Sequence, residues 1–576
     1  MGRRRATPDV GAGAGFDTVI VGAGSAGCVL ADRLSADPSH RVLVLESGRM
    51  DWKFDILTHM PNAPVPTGSD SYAWRYLSEP EPGLDGRRLV HSRGKMVGGS
   101  SSINAMIFLR GNPMDYDRWA TLPGMQGWDW AHCLPYFMRM EDATATGSDD
   151  PRRGRNGPIV LQRGDPDHPL NAAFLRAAAE CGHEVIDDIN GYRQEGYGVL
   201  DRNTSAGSRC SAADGYLRPA LSRPNLDLVT RAFVTRVLFE GTRAVGVEYR
   251  AGDRLHTVYA DEVILSGGVF NSPQVLQLSG VGNAEELSAL DIPVVQHLPG
   301  VGQNLQDHLE AWVQFHCDSP VSEQPHHHHR LRHAPRMVTH WLYNRGGPGA
   351  SNHHEVGGFS RSRTDTAYPD IMCHLLPSLR EVSGVPQSGH GFEMHVGPML
   401  SKATGHVKTV SRNPATRPAI RFNYLTAPED QREWLAAMRV ARDIGRSPAM
   451  KELGVYELAP GEFLTSDRDV LAWVRRNVSS ALHPSCSCKM GTDEMSVVDP
   501  DTLRVHGLDG IRVVDASVLP VIPNSNIYAP VMMVAERAAD MITGADPLPA
   551  SDLTYHRAEV SPDVSAETET VRDQAG

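Results

Sequence analysis

Residues 16–47 read FDTVIVGAGSAGCVLADRLSADPSHRVLVLES and decide the fold of this chain. Phe16 to Val21 is a short apolar run rich in β-branched residues, which is typical of a buried parallel strand. A glycine-rich turn, Gly22 to Gly27, comes next. Apolar residues then recur at helical spacing, and a second apolar run ends at Glu46. This order of strand, glycine turn, helix and strand predicts the first βαβ unit of a dinucleotide-binding α/β domain.

The residues of this unit have separate tasks. Gly22 permits the tight turn, Gly24 lets a pyrophosphate approach the backbone, and Gly27 lets the helix pack on the strand. The helix N-terminus meets the phosphate charge, and Glu46 can accept hydrogen bonds from ribose hydroxyls. We expect a dinucleotide at Gly22, Ala23, Gly24, Ser25, Gly27 and Glu46. At this point NAD and FAD both remain open.

The composition of the whole chain excludes several classes of protein. At 576 residues the chain is too long for one compact core, so we expect two domains. The net charge is −13 without a basic stripe, so nucleic acid is not an expected partner. No run approaches the roughly 18 apolar residues of a membrane span, and the N-terminus lacks the apolar stretch of a secretion signal. We therefore expect a cytoplasmic protein without a transmembrane segment, and peripheral contact with a membrane stays open.

Two stretches rich in metal-binding residue types do not predict a metal site. The sequence ALHPSCSCKMG places Cys486 and Cys488 one residue apart, but no second pair stands at zinc-finger spacing. Eight cysteines are sparse for this length and are expected to be reduced. The histidines His326 to His329 are adjacent and cannot all converge on one ion, so we expect an exposed loop whose role stays open. No metal is expected.

A second glycine-rich stretch, RGKMVGGSSSINAMIFLRGNPMDYD at 93–117, favours FAD over NAD. Gly98, Gly99 and the three serines after them offer backbone N–H groups and hydroxyls for further phosphate or ring contacts. A nicotinamide enzyme has no need of a second glycine-rich cradle, meaning a second set of backbone N–H groups for the cofactor, at this position. The stretch resembles the first signature of the glucose–methanol–choline (GMC) family of FAD oxidoreductases.

Further motifs extend this resemblance to roughly residues 15 to 546. GVFNSPQVLQLSGVG at 268–282 is similar to the second signature of the family, although Val269 stands where a small residue is usual. LPGVGQNLQDHLE (298–310) and IRVVDASVLP (511–520) also fit. Within the family the match is closest to the bacterial choline dehydrogenases of the oxygen-independent type, through stretches such as PGASNHHEVGGFSRSR and HPSCSCKMG.

The resemblance implies an α/β fold, α+β overall, in which two domains interleave along the chain. One is an FAD-binding, Rossmann-like domain with a parallel sheet, and the other is a substrate domain with an antiparallel sheet that roofs the reactive face of the flavin. We assign residues 15–50, 88–118, 228–310 and 495–546 to the FAD domain, and residues 155–227 and 311–480 to the substrate domain. The last thirty residues, 547–576, are polar and acidic and are predicted to be disordered.

The resemblance also assigns cofactor contacts and the mode of attachment. It places Val234 with its backbone at the adenine. It places further contacts with the flavin, the pyrophosphate or the ribityl chain at Val97, Gly99, Asn104, Ala105, Met106, Ile107, Asp515 and Ala516. Some members attach FAD covalently through a histidine just before the asparagine of the first signature. That position is Ile103 here, which has no nucleophile, so we expect noncovalently bound FAD.

Oxidation of an alcohol requires a base for the hydroxyl proton as well as an acceptor for the carbon-bound hydride. A histidine titrates near neutrality and suits the first task. Taken alone, His483 before Pro484 is better explained as a structural histidine. The resemblance implies that His483 is the base, that Asn526 orients the alcohol oxygen and stabilises alkoxide charge, and that the hydride goes to flavin N5.

Glu310 stands where choline-oxidising relatives carry a glutamate that faces the trimethylammonium group. At about 4 Å and an effective dielectric of about 20, this attraction is on the order of 4 kcal/mol before desolvation. Aromatic faces add roughly 0.5–2 kcal/mol each. We expect Trp74 and Trp341 to supply them, and His353 and its neighbour His354 to line the pocket.

The expected function is FAD-dependent oxidation of choline to betaine aldehyde, with further oxidation to glycine betaine left open. Leu482 weighs against choline, because several choline-specific relatives have an aromatic residue there. Two alternatives remain: a GMC alcohol dehydrogenase or oxidase for an uncharged alcohol, and a flavin-containing hydroxynitrile lyase. The electron acceptor, oxygen or a respiratory chain, and the oligomeric state stay open.

Overall fold

The computed structural model describes residues 15–63, 66–322, 330–379 and 389–559. Two seven-stranded sheets form its framework. Their strands in chain order are β1 (Phe16–Val21), β2 (Val42–Glu46), β3 (Gly196–Val199), β4 (Leu226–Thr230), β5 (Ala232–Glu240), β6 (Arg243–Ala251), β7 (Arg254–Leu265), β8 (Leu309–Cys317), β9 (Val356–Ser360), β10 (Ile371–Leu376), β11 (His390–Pro398), β12 (Val455–Ala459), β13 (Ser479–Ser480) and β14 (Ile511–Val513). The helices of eight or more residues in this part of the chain are α1 (Ser25–Leu34), α2 (Pro113–Ala120), α3 (Trp130–Met140), α4 (Pro169–Glu180), α5 (Asn271–Leu278), α6 (Arg330–Asn344), α7 (Pro428–Arg446), α8 (Asp467–Asn477) and α9 (Tyr528–Thr543).

The first sheet has the order β4–β2–β1–β7–β6–β5, and β14 pairs with β7. Its centre is parallel, with Val19 of β1 opposite Leu43 of β2 on one side and Val263 of β7 on the other. Side chains of α1 and α9 belong to the same apolar core as these strands. The carboxyl ends of β1, β2 and β7 therefore meet at one edge, which is where open α/β sheets bind ligands.

The second sheet is antiparallel, with the order β12–β8–β11–β10–β9–β3 and β13 paired with β8. One face packs on α7, and Trp434 of that helix shares a core with every second residue of β8 from Leu309 to Cys317. Side chains alternate along a strand. Glu310 and Trp312 therefore lie on the opposite face, where they line a large cavity.

The α/β fold with a parallel and an antiparallel sheet is confirmed, but one expected domain segment is divided. Residues 155–227 were assigned to the substrate domain. Residues 196–199 of this segment form the edge strand of the second sheet. Residues 210–220 instead bury Tyr216 and Leu217 in the core of the first sheet, next to α1. The segment crosses between the two sheets because its apolar side chains are divided between two cores.

The prediction of disorder beyond residue 547 is wrong for residues 547–559. Leu548, Leu553 and Tyr555 pack against the first core. The backbone N–H of Ser551 donates to the carbonyl of Ala131 at 2.8 Å. These apolar contacts and hydrogen bonds together hold the extended segment on the surface. Residues 560–576 lie outside the described residues.

All eight cysteines are free thiols, and Cys486 and Cys488 are buried in the first core. The histidines His326 to His329 lie outside the described residues. Within the described ranges, no helix is long and apolar enough to cross a membrane.

Candidate active site

A cavity of about 810 Å³ is lined by residues of both sheets. Most of the predicted site residues line it, namely Gly22, Gly24, Ser25, Glu46, Trp74, Gly99, Asn104, Ala105, Met106, Ile107, Val234, Glu310, His483, Asp515, Ala516 and Asn526. Five others, Ala23, Gly27, Val97, Trp341 and His353, are not among the lining residues.

The turn after β1 has the shape of a phosphate-binding loop. Gly22 has φ +106°, and a Cβ there would lie 2.4 Å from the carbonyl oxygen of Ser266. The nearest atom to a Cβ on Gly24 is 3.9 Å away, so this position is open to the cavity. Helix α1 begins after Gly24 without a side-chain cap or an acid in its first turn. Its N–H groups and positive dipole end therefore fit a pyrophosphate.

Glu46 holds the loop in place as well as lining the cavity. Its Oε2 accepts a hydrogen bond from the Ala23 N–H at 2.9 Å, and its Oε1 accepts one from the Gly48 N–H at 2.6 Å. Burial raises the pKa of this carboxyl to about 7. The Ala23 N–H is thus directed at Glu46, which explains why Ala23 does not line the cavity. Gly27 packs inward, because a Cβ there would lie 1.9 Å from the carbonyl oxygen of Gly22.

The second glycine cradle contacts the first. The Gly98 N–H donates to the carbonyl of Ala23 at 2.7 Å, and Gly99 lines the cavity. Val97 is 1% exposed and donates its N–H to the carbonyl of Arg49 at 3.0 Å, so it supports the cradle from behind. The two glycine stretches, although some seventy residues apart in sequence, form one surface of the cavity.

The residues after this cradle are fixed by a buried arginine that the sequence did not single out. Arg209 Nη1 donates to the side-chain Oδ1 of Asn104 at 2.7 Å and to its carbonyl at 2.8 Å. Asp515, from the loop after β14, accepts hydrogen bonds from the Gly268 N–H at 2.8 Å and from Ser272 Oγ at 2.5 Å. Loops from distant parts of the chain are thereby joined around a space suited to a dinucleotide.

His483 and Asn526 meet in the cavity. His483 Nε2 lies 2.9 Å from Nδ2 of Asn526, which stands just before α9. The backbone N–H of His483 donates to Oδ1 of the buried Asp307 at 2.8 Å. Leu482 has φ +65°, and its carbonyl accepts from Arg93 Nη2 at 2.8 Å. Two hydrogen bonds therefore hold the backbone of the loop at Leu482 and His483.

A chain of hydrogen bonds determines which nitrogen of His483 is unprotonated. His308 Nε2 lies 3.0 Å from the Met399 carbonyl, which can only accept, so His308 carries its hydrogen on Nε2. Burial lowers the pKa of His308 to about 4, so the ring is neutral and its Nδ1 is an acceptor. His483 Nδ1, 3.2 Å away, must then donate to it. Nε2 of His483 keeps its lone pair and faces Asn526.

The electrostatics of the site keep this base neutral. Burial, together with the neighbouring His308, lowers the pKa of His483 well below its usual value. Asp307 is enclosed with Ser480 and Tyr424, whose hydroxyls donate to its Oδ2 at 2.5 and 2.6 Å. Burial raises the pKa of Asp307 to about 6 in spite of these hydrogen bonds.

Glu310 lies in a cluster of aromatic and imidazole rings. Its Oε1 accepts from Trp312 Nε1 at 2.9 Å, and its Oε2 is 3.2 Å from Nδ1 of His395. Burial raises the pKa of this carboxyl, but the interactions with His395 and His374 outweigh it and lower the pKa to about 2. Glu310 is therefore ionised, and Trp312, His374, His395 and His354 line the cavity with it.

The aromatic cage expected from Trp74 and Trp341 is not formed by these residues. Trp341 packs with Met60 in a separate small core and donates its Nε1 hydrogen to the carbonyl of Gly207 at 2.7 Å. Trp74 lines the cavity, but its ring is tilted against Phe233, at 6.1 Å between centroids. The ring next to Glu310 belongs to Trp312. Glu310 and Trp312 are two residues apart on one strand, so both side chains point to the cavity. The role of Trp312 could therefore have been predicted from the sequence.

Of the two adjacent histidines expected in the pocket, only His354 lines the cavity. His354 lines the cavity, and its ring centroid is 5.6 Å from that of His395. His353 has φ +64° and does not line the cavity. The left-handed backbone at His353 lies at a bend before β9, where strand alternation does not decide which histidine points inward.

Comparison with known proteins identifies the family of this chain. Models of the GMC oxidoreductase family match residues 16–310 and residues 401–535. The chain is 50% identical over 546 residues to a Staphylococcus saprophyticus protein named oxygen-dependent choline dehydrogenase. The aligned residues cover 94% of this chain and 97% of that protein. It is 48% identical to the Staphylococcus aureus protein of the same name, with 94% and 96% covered.

Solved structures show the same fold at lower identity. Pyridoxine 4-oxidase from Mesorbium loti has a TM-score of 0.82 at 30% identity, covering 92% of this chain and 100% of that one. A formate oxidase variant from Aspergillus oryzae has a TM-score of 0.85 at 26% identity, covering 92% and 98%.

Proposed function

The chain belongs to the GMC oxidoreductase family, and from this we propose that it oxidises choline to betaine aldehyde with FAD as its cofactor. The observation that carries the proposal is the neutral Nε2 of His483, 2.9 Å from the Asn526 amide, in a cavity that also holds the ionised Glu310. The relatives at 48–50% identity bear the name of a choline dehydrogenase.

The residues that would hold FAD fit it. The turn at Gly22 and Gly24 and the uncapped N-terminus of α1 suit the pyrophosphate, and Glu46 suits a ribose. Asn104 to Ile107, which the resemblance to the family assigns to the flavin, line the same cavity. Bound FAD supplies the acceptor for the hydride that leaves the carbinol carbon.

The side chains of the cavity supply the remaining chemistry. Nε2 of His483 takes the hydroxyl proton, and the Asn526 amide can donate to the oxygen as negative charge develops on it. The imidazolium formed on His483 remains hydrogen-bonded through Nδ1 to the lone pair of His308. Because the pKa of His483 is low, the ring then returns this proton readily and is neutral again for the next turnover.

Glu310 gives the cavity its preference for a cation. A trimethylammonium group has no N–H, so it is bound by charge and by aromatic faces. Glu310 supplies the charge, and Trp312, held by its hydrogen bond to Glu310, supplies the ring. The second candidate is an uncharged alcohol, favoured by the 3.2 Å contact between Glu310 and His395, which already offsets part of the carboxylate charge.

Anaerobic mixing with two alcohols of the same shape tests the proposal. Choline is expected to bleach the visible absorbance of the bound flavin, and uncharged 3,3-dimethylbutanol is expected to react about 100-fold more slowly because it lacks the attraction to Glu310. Equal rates would favour the uncharged-alcohol candidate. A flavin that stays oxidised with both alcohols would indicate a lyase.

Admission of air after the bleaching tests the electron acceptor. The names of the relatives specify oxygen dependence, which differs from the oxygen-independent type that the motifs indicate. We take dioxygen as the acceptor, so the flavin absorbance should return in air with formation of hydrogen peroxide. A flavin that stays reduced in air would exclude this.

Acid precipitation of the holoenzyme is expected to leave all of the FAD in the supernatant. Ile103, which lines the cavity at the attachment position of covalent members, offers no nucleophile. The measurement is the flavin absorbance of supernatant and pellet, with a covalently flavinylated protein as the control. Yellow colour that remains with the washed pellet would contradict noncovalent binding.

A further inference from the structure

We propose that Glu310, His374 and His395 form a binding site for one divalent transition-metal ion, such as Zn²⁺, inside the cavity. One ligand atom from each residue can be chosen so that all three atoms lie within 4.8 Å of one another. Two imidazoles and a carboxylate are ligands that zinc accepts, and sites with three protein ligands keep a further position open. Here that position would face the cavity.

The backbone places these side chains together. His374 of β10 and His395 of β11 are directly paired residues of adjacent antiparallel strands, whose side chains lie on one face about 4.5–5.5 Å apart at Cβ. Their ring centroids are 4.9 Å apart. Across the other edge of β11, His395 is paired with Trp312 of β8, and Glu310 precedes Trp312 by two residues on the same face. Strand register, rather than one rotamer, produces the cluster.

The distances suit a shared ion. His395 Nδ1 and Glu310 Oε2 are 3.2 Å apart. Two ligands at about 2.0–2.1 Å from a tetrahedral zinc are separated by roughly 3.3 Å. The His374 ligand atom lies within 4.8 Å of the other two and would have to move closer to complete the set.

A buried carboxylate lies next to the second ring nitrogen of the central histidine. His395 Nε2 lies 3.4 Å from Oε2 of Glu393, which is fully buried. Gln314 Nε2 in turn donates to Oε1 of Glu393 at 2.7 Å. Metal-binding histidines commonly direct their second nitrogen at such a carboxylate, which fixes the ring and raises the basicity of the ligating nitrogen. The other ring nitrogen of His395, Nδ1, faces Oε2 of Glu310 at 3.2 Å, and the ion would lie between these two atoms.

The site would couple metal binding to the chemistry of the cavity. An ion on Glu310 uses the negative charge that the proposed function assigns to the trimethylammonium group, so metal and choline would exclude each other. The binding of the metal does not rest on the proposed function. The competition between the metal and choline does rest on it.

Titration of the FAD-loaded enzyme with ZnCl₂ by calorimetry, and with CoCl₂ by visible absorbance, tests the site. We expect one ion to bind per chain. His374→Ala and His395→Ala should each lose at least tenfold in affinity for the ion, and Glu393→Gln should lose about 10-fold or more. His374→Gln serves if the alanine variant loses its flavin. His297→Ala, an exposed histidine elsewhere, is the matched control and should bind as the unaltered enzyme does.

A second group of potential metal ligands, Asp51, His59 and Asp214, could bind the ion instead. The His59→Ala variant tests this alternative. Zinc binding that is unchanged in both His374 and His395 variants but lost in His59→Ala would overturn the proposal, as would the absence of binding. Choline is expected to raise the apparent dissociation constant of zinc. Intact zinc binding without this competition would leave the metal site standing and contradict the placement of choline at Glu310.

Discussion

His483→Ala is expected to slow anaerobic flavin reduction by choline by about 10³-fold, the usual contribution of a positioned general base. The loss should fall on the limiting rate rather than on choline affinity, because the cation is held at Glu310. Added imidazole should restore part of the rate, since the alanine leaves room beside Asn526 for an external base. Stopped-flow flavin absorbance measures both effects.

The control for His483→Ala is a variant of a histidine outside the cavity, His297→Ala, which should react at the unaltered rate. Asn526→Ala should also be slow, by about 10²-fold, without rescue by imidazole, because it removes a donor to the oxygen and not the base. A His483→Ala enzyme within tenfold of the unaltered rate would show that another group takes the proton.

Glu310→Gln is expected to lower kcat/KM for choline by about 100-fold. The full attraction between two charges about 4 Å apart is on the order of 4 kcal/mol at an effective dielectric of about 20, and desolvation and the nearby His395 reduce it. The amide keeps the size of the side chain and its acceptor for the Trp312 Nε1 hydrogen, so 3,3-dimethylbutanol should react as it does with the unaltered enzyme. Steady-state kinetics with both alcohols gives the comparison.

A matched control for Glu310→Gln is Glu462→Gln, which removes one charge from the exposed surface and should change neither alcohol. The same loss with both alcohols in Glu310→Gln would mean that the carboxylate shapes the cavity rather than attracting a cation. No loss with choline would remove Glu310 from substrate binding altogether.

The geometry of the glycine-rich turn could be predicted from the sequence because it depends on residues close together in the chain. Gly22, Gly24 and Glu46 occur within one βαβ unit, where strand and helix periodicity determine the geometry of the turn. The role of Ala23 was not predictable in the same way. Its N–H is directed at Glu46, and this depends on the exact register of β2 beside β1.

The arrangement of the proposed catalytic residues depends instead on contacts between residues far apart in sequence. The partners His483 and Asn526 came from family resemblance, since nothing in the sequence between them indicates their contact. The hydrogen bond from His308 to the Met399 carbonyl joins residues 91 positions apart, which no local pattern reveals. Trp312 could have been found from strand alternation after Glu310. Trp341 was wrong because a tryptophan that fills a small separate core has the same local sequence signal as one that lines a pocket.

The pH dependence of kcat/KM for choline tests most directly the claim that Nε2 of His483 is unprotonated and takes the hydroxyl proton. A base must be unprotonated in the free enzyme, so kcat/KM falls as pH drops through its pKa. Burial and His308 lower the pKa of His483, the pKa of the adjacent Asp307 is about 6, and Glu310, with a pKa of about 2, stays ionised. With flavin content verified at each pH, we expect kcat/KM to hold constant on acidification until the pH is below about 6.5, the ordinary value for histidine. A decline centred at or above that value would mean that His483 is already an imidazolium near neutrality, and would contradict the account.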